Sequence, residues 1–277
     1  MNIAIVGLGL IGGSSAKAIK LKTTHRAYGF DISNEVIEAA RGGGAIDEVL
    51  TKENLPLCDV VILALYPKDC VDFIRSHAQH IKKGAVVVDF CGVKRGVDEP
   101  LSQIAGDYGF SYVGGHPMAG IEKSGFEFSC ADLFDGSSMI LTPKEGQDEQ
   151  VKILSGLFLS MGFSAIKIST PFEHDKIIAY TSQLAHVLSS AYVKSESALS
   201  FRGFSAGSFR DMTRVAYLNE EMWSQLFLQN ADFLADEIDG LCDRLKMYSA
   251  AIKQGDKEAL FALLQEGKAR KELLEGS

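Results

Sequence analysis

The chain has 277 residues, a formal charge of −8, 46% hydrophobic and 23% charged residues, which is enough for one large or two ordinary domains with full cores. The acidic balance argues against a nucleic-acid partner, and the longest uninterrupted apolar run, residues 60–66, is far short of the ~20 residues that a membrane span needs. Five cysteines without a CxxC pair, and an apolar N-terminus that lacks a basic region and is broken by glycines, read as reduced thiols in a cytoplasmic protein without a signal peptide.

The chain opens MNIAIVGLGLIGG. The β-branched run 3–6 breaks at Gly7-Leu8-Gly9-Leu10-Ile11-Gly12 and passes into a segment of helical composition, 14–19. This is strand, tight turn, helix. Gly7 permits the turn, Gly9 lets backbone approach a pyrophosphate with no Cβ in the way, and Gly12 lets helix pack closely on strand. The phosphates would sit on the positive helix N-terminus. A second strand, 26–30, ends in Asp31, nineteen residues after Gly12, where a ribose-binding acid is expected. Ile32 and Ser33 follow, with no Arg or Lys to receive a 2′-phosphate, so NAD is favoured over NADP. The competing reading of Asp31 is a cap for the helix 34–41.

Further on, 59–65 and 84–89 are apolar runs with the pattern of strands covered on both faces. A helix opens at Pro67 and runs to about residue 81, and a further strand, 111–115, follows another helical segment. Strands alternating with helices predict a parallel sheet. Residues 139–142 and 165–168 read as late strands flanking a helix over 147–161. Beyond Thr170 about a hundred residues carry apolar side chains at three- and four-residue spacing, which predicts helices only. The last, near 256–274, shows a mixed-charge solvated face. The expected architecture is α/β, a Rossmann-type dinucleotide-binding domain over residues 1–168 followed by an all-α domain over 169–277, whose apolar surface predicts a homodimer.

Three stretches carry chemistry. In Gly114-Gly115-His116-Pro117-Met118-Ala119-Gly120, His116 is expected just past a strand end, on a tight loop beside the nicotinamide. There an imidazole has a pKa suited to taking a proton from a hydroxyl whose carbon gives up hydride. A purely structural histidine is the alternative. His186 lies in a helix among Thr181, Ser182 and Gln183, where a hydrogen-bonded core residue and a substrate ligand are equally good readings. In Ser208-Phe209-Arg210-Asp211-Met212-Thr213-Arg214, Arg210 and Arg214 are four apart and are expected to share a helix face. This is either an ion-paired surface helix or a site where Arg214 grips a substrate carboxylate with Asp211 orienting it.

Together these motifs, with Glu122-Lys123-Ser124-Gly125 and Ile140-Leu141-Thr142-Pro143, resemble the prephenate/arogenate dehydrogenases of tyrosine biosynthesis over nearly the whole chain. The resemblance implies NAD-dependent oxidative decarboxylation of prephenate to 4-hydroxyphenylpyruvate. His116 would take the ring hydroxyl proton, Arg214 would bind a substrate carboxylate, Glu122 and Asp211 would pair near the pocket and gate it, and His186 would be the second histidine of a Ser-His-Leu-Pro-His pattern. Two departures stand out. Gln183 and Ala185 replace the family His and Pro, and Gly92 occupies the position of a serine that in many members bonds the catalytic histidine. Cys91, a backbone group or water would have to substitute for that hydroxyl, or His116 would be oriented differently. No metal is expected. No appended regulatory domain is read after Ser277, so feedback by tyrosine would act near the active site. Alternatives are an arogenate dehydrogenase, a β-hydroxyacid dehydrogenase, which would use a lysine in the second domain, and a non-catalytic NAD sensor.

Overall fold

The computed structural model describes residues 1–276, and its contacts fall into two units, Met1–Asn230 and Ala231 onward. The first is built on one eight-stranded sheet. Its strands are β1 (Asn2–Val6), β2 (Arg26–Phe30), β3 (Glu48–Val49), β4 (Val60–Leu63), β5 (Val86–Asp89), β6 (Ser111–Pro117), β7 (Ser138–Thr142) and β8 (Ala165–Ile168), in the order β3-β2-β1-β4-β5-β6-β7-β8. The expected strands all form, and β3 is added at the edge.

The apolar runs explain the layers. Every residue of β4 and the whole of β5 is buried, because successive side chains point to opposite faces and both faces are covered. Ile3, Ile5, Val60, Ile62, Val86 and Val88 pack on one side with Ala16 and Ile19 of α1 (Leu10–Lys22) and Leu154 and Phe158 of α5 (Asp148–Met161). Ala4, Val6, Val61, Leu63 and Val87 pack on the other with Cys70 and Ile74 of α3 (Pro67–His77) and Leu101 and Ala105 of α4 (Asp98–Tyr108). At ~25 cal/mol per Å² of apolar area, each such branched side chain stabilises the fold by roughly 1.5–3 kcal/mol.

The sheet is not wholly parallel. β6 and β7 run antiparallel, with His116 opposite Ile140. The physical reason is the connection. Parallel neighbours need a crossover, usually helical, whereas residues 118–137 contain no α-helix, only a 3₁₀ turn at Phe126–Phe128. β8 then pairs parallel to β7 through α5.

Within the first unit, α6 (Pro171–Ile178), α7 (Leu184–Tyr192), α8 (Gly207–Thr213) and α9 (Glu220–Gln229) follow the sheet. Thr170 caps α6, its hydroxyl accepting from Glu173 N, with Pro171 in the first turn. A π-helical turn, Ala179–Gln183, joins α6 to α7. The second unit is a pair of helices, α10 (Ala231–Gln254) and α11 (Lys257–Glu275), the latter capped by Asp256. No helix among the described residues is long and apolar enough to cross a membrane.

Candidate active site

The sheet order reverses between β1 and β4, the point at which open α/β sheets bind ligands beyond their carboxyl ends. The glycine turn lies there. Gly7 has φ +88°, and a Cβ on it would fall 2.5 Å from the Ala64 carbonyl oxygen; a Cβ on Gly12 would fall 1.8 Å from the Gly7 oxygen. Around a Cβ on Gly9 there is open space. Gly9 is also the N-cap of α1, with no side-chain cap and no acid in the first turn. An uncapped helix N-terminus behind an open cradle suits a pyrophosphate, so these residues fit a dinucleotide. Asp31 accepts from Leu8 N at 2.8 Å and from Ser33 N at 3.0 Å. It braces the turn and does not cap α2 (Asn34–Gly42), whose N-cap is Ser33.

His116 is the penultimate residue of β6, not a loop residue past its end, because its pairing with Ile140 extends the strand to Pro117. It lies three strand spacings from β1, about 14 Å along the same edge of the sheet. Its ring is half-buried. Nδ1 is 2.9 Å from Nε2 of His174, and Nδ1 of His174 is 2.7 Å from Oδ1 of Asp175. Asp175 also accepts from the backbone N–H groups of Lys94 at 2.8 Å and Arg95 at 3.0 Å. His174 and Asp175 are buried on α6. Among the described residues nothing hydrogen-bonds Nε2 of His116. Burial, then the neighbouring His174 and Lys94, hold the His116 imidazole well below its usual pKa.

Beneath it lies a fully buried ion pair, Lys94 and Asp89. Lys94 Nζ also donates to the Gly115 carbonyl at 2.6 Å, while Asp89 accepts from the Tyr112 hydroxyl at 2.7 Å and Cys91 N at 2.8 Å. Such a pair is tolerated in a core only when its remaining hydrogen-bonding capacity is satisfied. Here it ties the end of β5 to the strand that carries His116.

The helical predictions are partly rearranged. α8 ends at Thr213, and Arg214 begins a 3₁₀ turn, Arg214–Ala216. Arg214 therefore stands at the C-cap of α8 rather than inside it. Among the described residues Arg214 is ion-paired not with Asp211, which is exposed, but with Glu122, at 2.5 Å. His186 bonds the Ser182 carbonyl through Nδ1 at 2.9 Å and stacks on Trp223 at 4.0 Å between ring centroids. Gln183 is buried, donating to the Leu226 carbonyl at 3.1 Å and accepting from Asn230 at 2.8 Å. The described residues contain no cluster able to hold a metal ion.

Two family models match the chain: prephenate dehydrogenase, nucleotide-binding domain, over residues 15–167, and prephenate dehydrogenase, dimerization domain, over 170–266. The chain belongs to the prephenate dehydrogenase family. A prephenate dehydrogenase of Bacillus subtilis (strain 168) is 32% identical across 96% of this chain and 74% of its own length. The crystal structure of prephenate dehydrogenase from Aquifex aeolicus in complex with hydroxyphenyl propionate and NAD+ superposes with a TM-score of 0.85 at 28% identity, covering 99% of this chain and 98% of that one. Synechocystis arogenate dehydrogenase superposes with a TM-score of 0.83 at 26% identity, covering 99% and 100%.

In this member of the prephenate dehydrogenase family, a Cβ on Gly92 would lie 3.9 Å from Nε2 of His116 and 3.7 Å from Leu226. Cys91 does not take over for a hydroxyl there. Its Sγ faces Cys70 at 3.6 Å and the Leu65 carbonyl at 3.8 Å. Among the described residues the hydrogen-bonding partner of the His116 ring is His174, on the opposite ring nitrogen. His174, Asp175, Asp89, Lys94 and Trp223 are the residues that motif reading missed. The available signals were a His-Asp dipeptide at residues 174–175 and a lysine five residues after the acid that ends β5.

Proposed function

We propose that the chain oxidises and decarboxylates prephenate with NAD to give 4-hydroxyphenylpyruvate, carbon dioxide and NADH. When bound, NAD supplies a nicotinamide that accepts hydride from C4 of the ring. His116 Nε2 takes the C4 hydroxyl proton as that hydride leaves. The bond to the ring carboxylate then breaks, its electron pair enters the ring, carbon dioxide departs, and the proton returns to what is now a phenolic oxygen. Aromatisation makes the step effectively irreversible. Arg214 binds a substrate carboxylate in exchange for Glu122, His186 on Trp223 forms a wall of the substrate pocket, and Asp211 stands at its rim. Gly7, Gly9, Leu10, Ile11, Gly12 and Asp31 hold the dinucleotide.

The observation that carries this reading is the placement, along one carboxyl edge of the sheet, of an open glycine cradle and a histidine whose Nε2 has no hydrogen-bond partner among the described residues. The chain acts as a homodimer through its helical region. Phe172, Leu199, Phe204 and Tyr217, each at least 65% exposed in the single chain, supply apolar surface of the kind that subunit association buries. A cytoplasmic site of action fits five unpaired cysteines.

The test follows NADH absorbance with purified protein, offering prephenate and arogenate in parallel, each with NAD and NADP. Turnover of prephenate with NAD supports the reading. Turnover of arogenate alone would replace the substrate, and turnover of neither, with NAD still bound, would point to another dehydrogenase or to a sensor.

A further inference from the structure

We infer that His174 and Asp175 are positioning residues for His116, setting the tautomer that leaves its Nε2 bare and sharing the charge that forms when the substrate proton arrives. This rests on the reading of His116 as the base for the substrate hydroxyl.

The assignment follows from hydrogen-bond bookkeeping along the row. Both oxygens of Asp175 already accept backbone N–H groups, from Lys94 and Arg95. Asp175 is therefore an acceptor, and the hydrogen between it and His174 sits on Nδ1 of the imidazole. Burial holds both rings below the usual histidine pKa, so each carries one hydrogen at neutral pH. With its hydrogen on Nδ1, His174 has a bare Nε2, which can only accept. The 2.9 Å contact to His116 is then made by a hydrogen on Nδ1 of His116, and Nε2 of His116 is left with a lone pair. The other charged groups acting on these rings are Lys94 and Asp89, which pair with each other.

The row also has somewhere to put the charge. When Nε2 of His116 takes the hydroxyl proton, the Nδ1 hydrogen can pass to Nε2 of His174, and the positive charge moves beside the Asp175 carboxylate. The movement reverses as the proton returns to the product oxygen, so no proton is gained or lost. The same row explains how position 92 can be glycine. Orientation that a hydroxyl there would give to Nε2 is given instead to Nδ1, from a helix 58 residues further along the chain.

Two measurements on the full-length protein test this. Two-bond proton–nitrogen spectra of ¹⁵N-histidine-labelled protein near neutral pH are expected to show His116 and His174 each carrying hydrogen on Nδ1; finding His116 with hydrogen on Nε2, or charged, overturns the proposal. Kinetically, His174→Gln keeps an oxygen able to accept from His116 but cannot hold the proton. Its kcat is expected to fall roughly 10- to 100-fold, with KM for NAD unchanged and the acid limb of the kcat profile moved to lower pH, because the row's first proton, which in wild type rests on His174 beside Asp175, must then go to His116, whose imidazole burial holds lower. A folded His174→Gln protein with a wild-type limb and kcat overturns it. So does a lowered kcat with an unshifted limb, which is what a merely structural role would give. If wild-type protein turns over neither prephenate nor arogenate, it is the base reading that fails, and the spectra alone decide the relay.

Discussion

Glu122 Oε1 accepts a hydrogen bond from Nη1 of Arg214 at 2.5 Å, across 92 residues of chain. The pair joins the loop after β6 to the turn after α8. Both side chains are solvent-accessible, at 38% and 66%, so the bond itself stabilises by no more than about 0.2–1 kcal/mol. With Arg214 as the proposed carboxylate ligand, a substrate would displace Glu122 at little cost.

Glu122→Gln should lower KM for prephenate, by at most about fivefold, since removing a competitor gains no more than that weak pair was worth. Arg214→Ala should raise KM by roughly 10- to 100-fold through loss of a charge-assisted bond of about 1.5–3 kcal/mol, with a smaller change in kcat. Steady-state kinetics on the two variants check both signs; equal KM values across wild type and Arg214→Ala would remove the arginine from substrate binding.

His116→Asn should reduce kcat by about 10²-fold or more, as expected for a lost general base, while NAD affinity measured by fluorescence titration stays near wild type. Gly92→Ser should be neutral. Its Cβ meets only ordinary contacts, at 3.7 Å and beyond, so stability should change by less than ~0.5 kcal/mol and turnover by less than about threefold, because His174 already orients the ring.

Asp31→Ser should shift cofactor preference. Loss of a charge-assisted bond to the ribose, about 1.5–3 kcal/mol, lowers kcat/KM for NAD at least about tenfold, and removal of the carboxylate relieves repulsion of a 2′-phosphate. The ratio of kcat/KM values for NAD and NADP reports both. An unchanged ratio would leave Asp31 only its role in bracing Leu8 and Ser33.

Stability should fall on mild acidification. The folded state holds His116 and His174 below the usual histidine value, chiefly through burial, so below about pH 6.5 the unfolded chain binds protons that the folded chain does not. Their contribution is fully present above that pH and is lost as pH falls through it toward the folded pKa values. Chemical denaturation across this range should show less acid loss in His174→Gln than in wild type.

Much of this protein was legible as sequence because local rules suffice for it. Apolar β-branched runs bounded by polar residues set the positions of β1, β4 and β5, and glycine spacing with Asp31 at the end of β2 marked the dinucleotide cradle, since a tight turn and a close backbone approach tolerate few other residues. His116 and Arg214 were visible by residue type. Their surroundings were not. That β7 runs antiparallel depends on a connection without a helix, that Arg214 meets Glu122 depends on where α8 ends, and that His174, Asp175, Lys94 and Asp89 converge beneath His116 depends on packing α6 against the loop after β5. Such partners lie far apart along the chain and repeat with no period. Only the tertiary structure, where burial requires each polar group to find a partner, decided them.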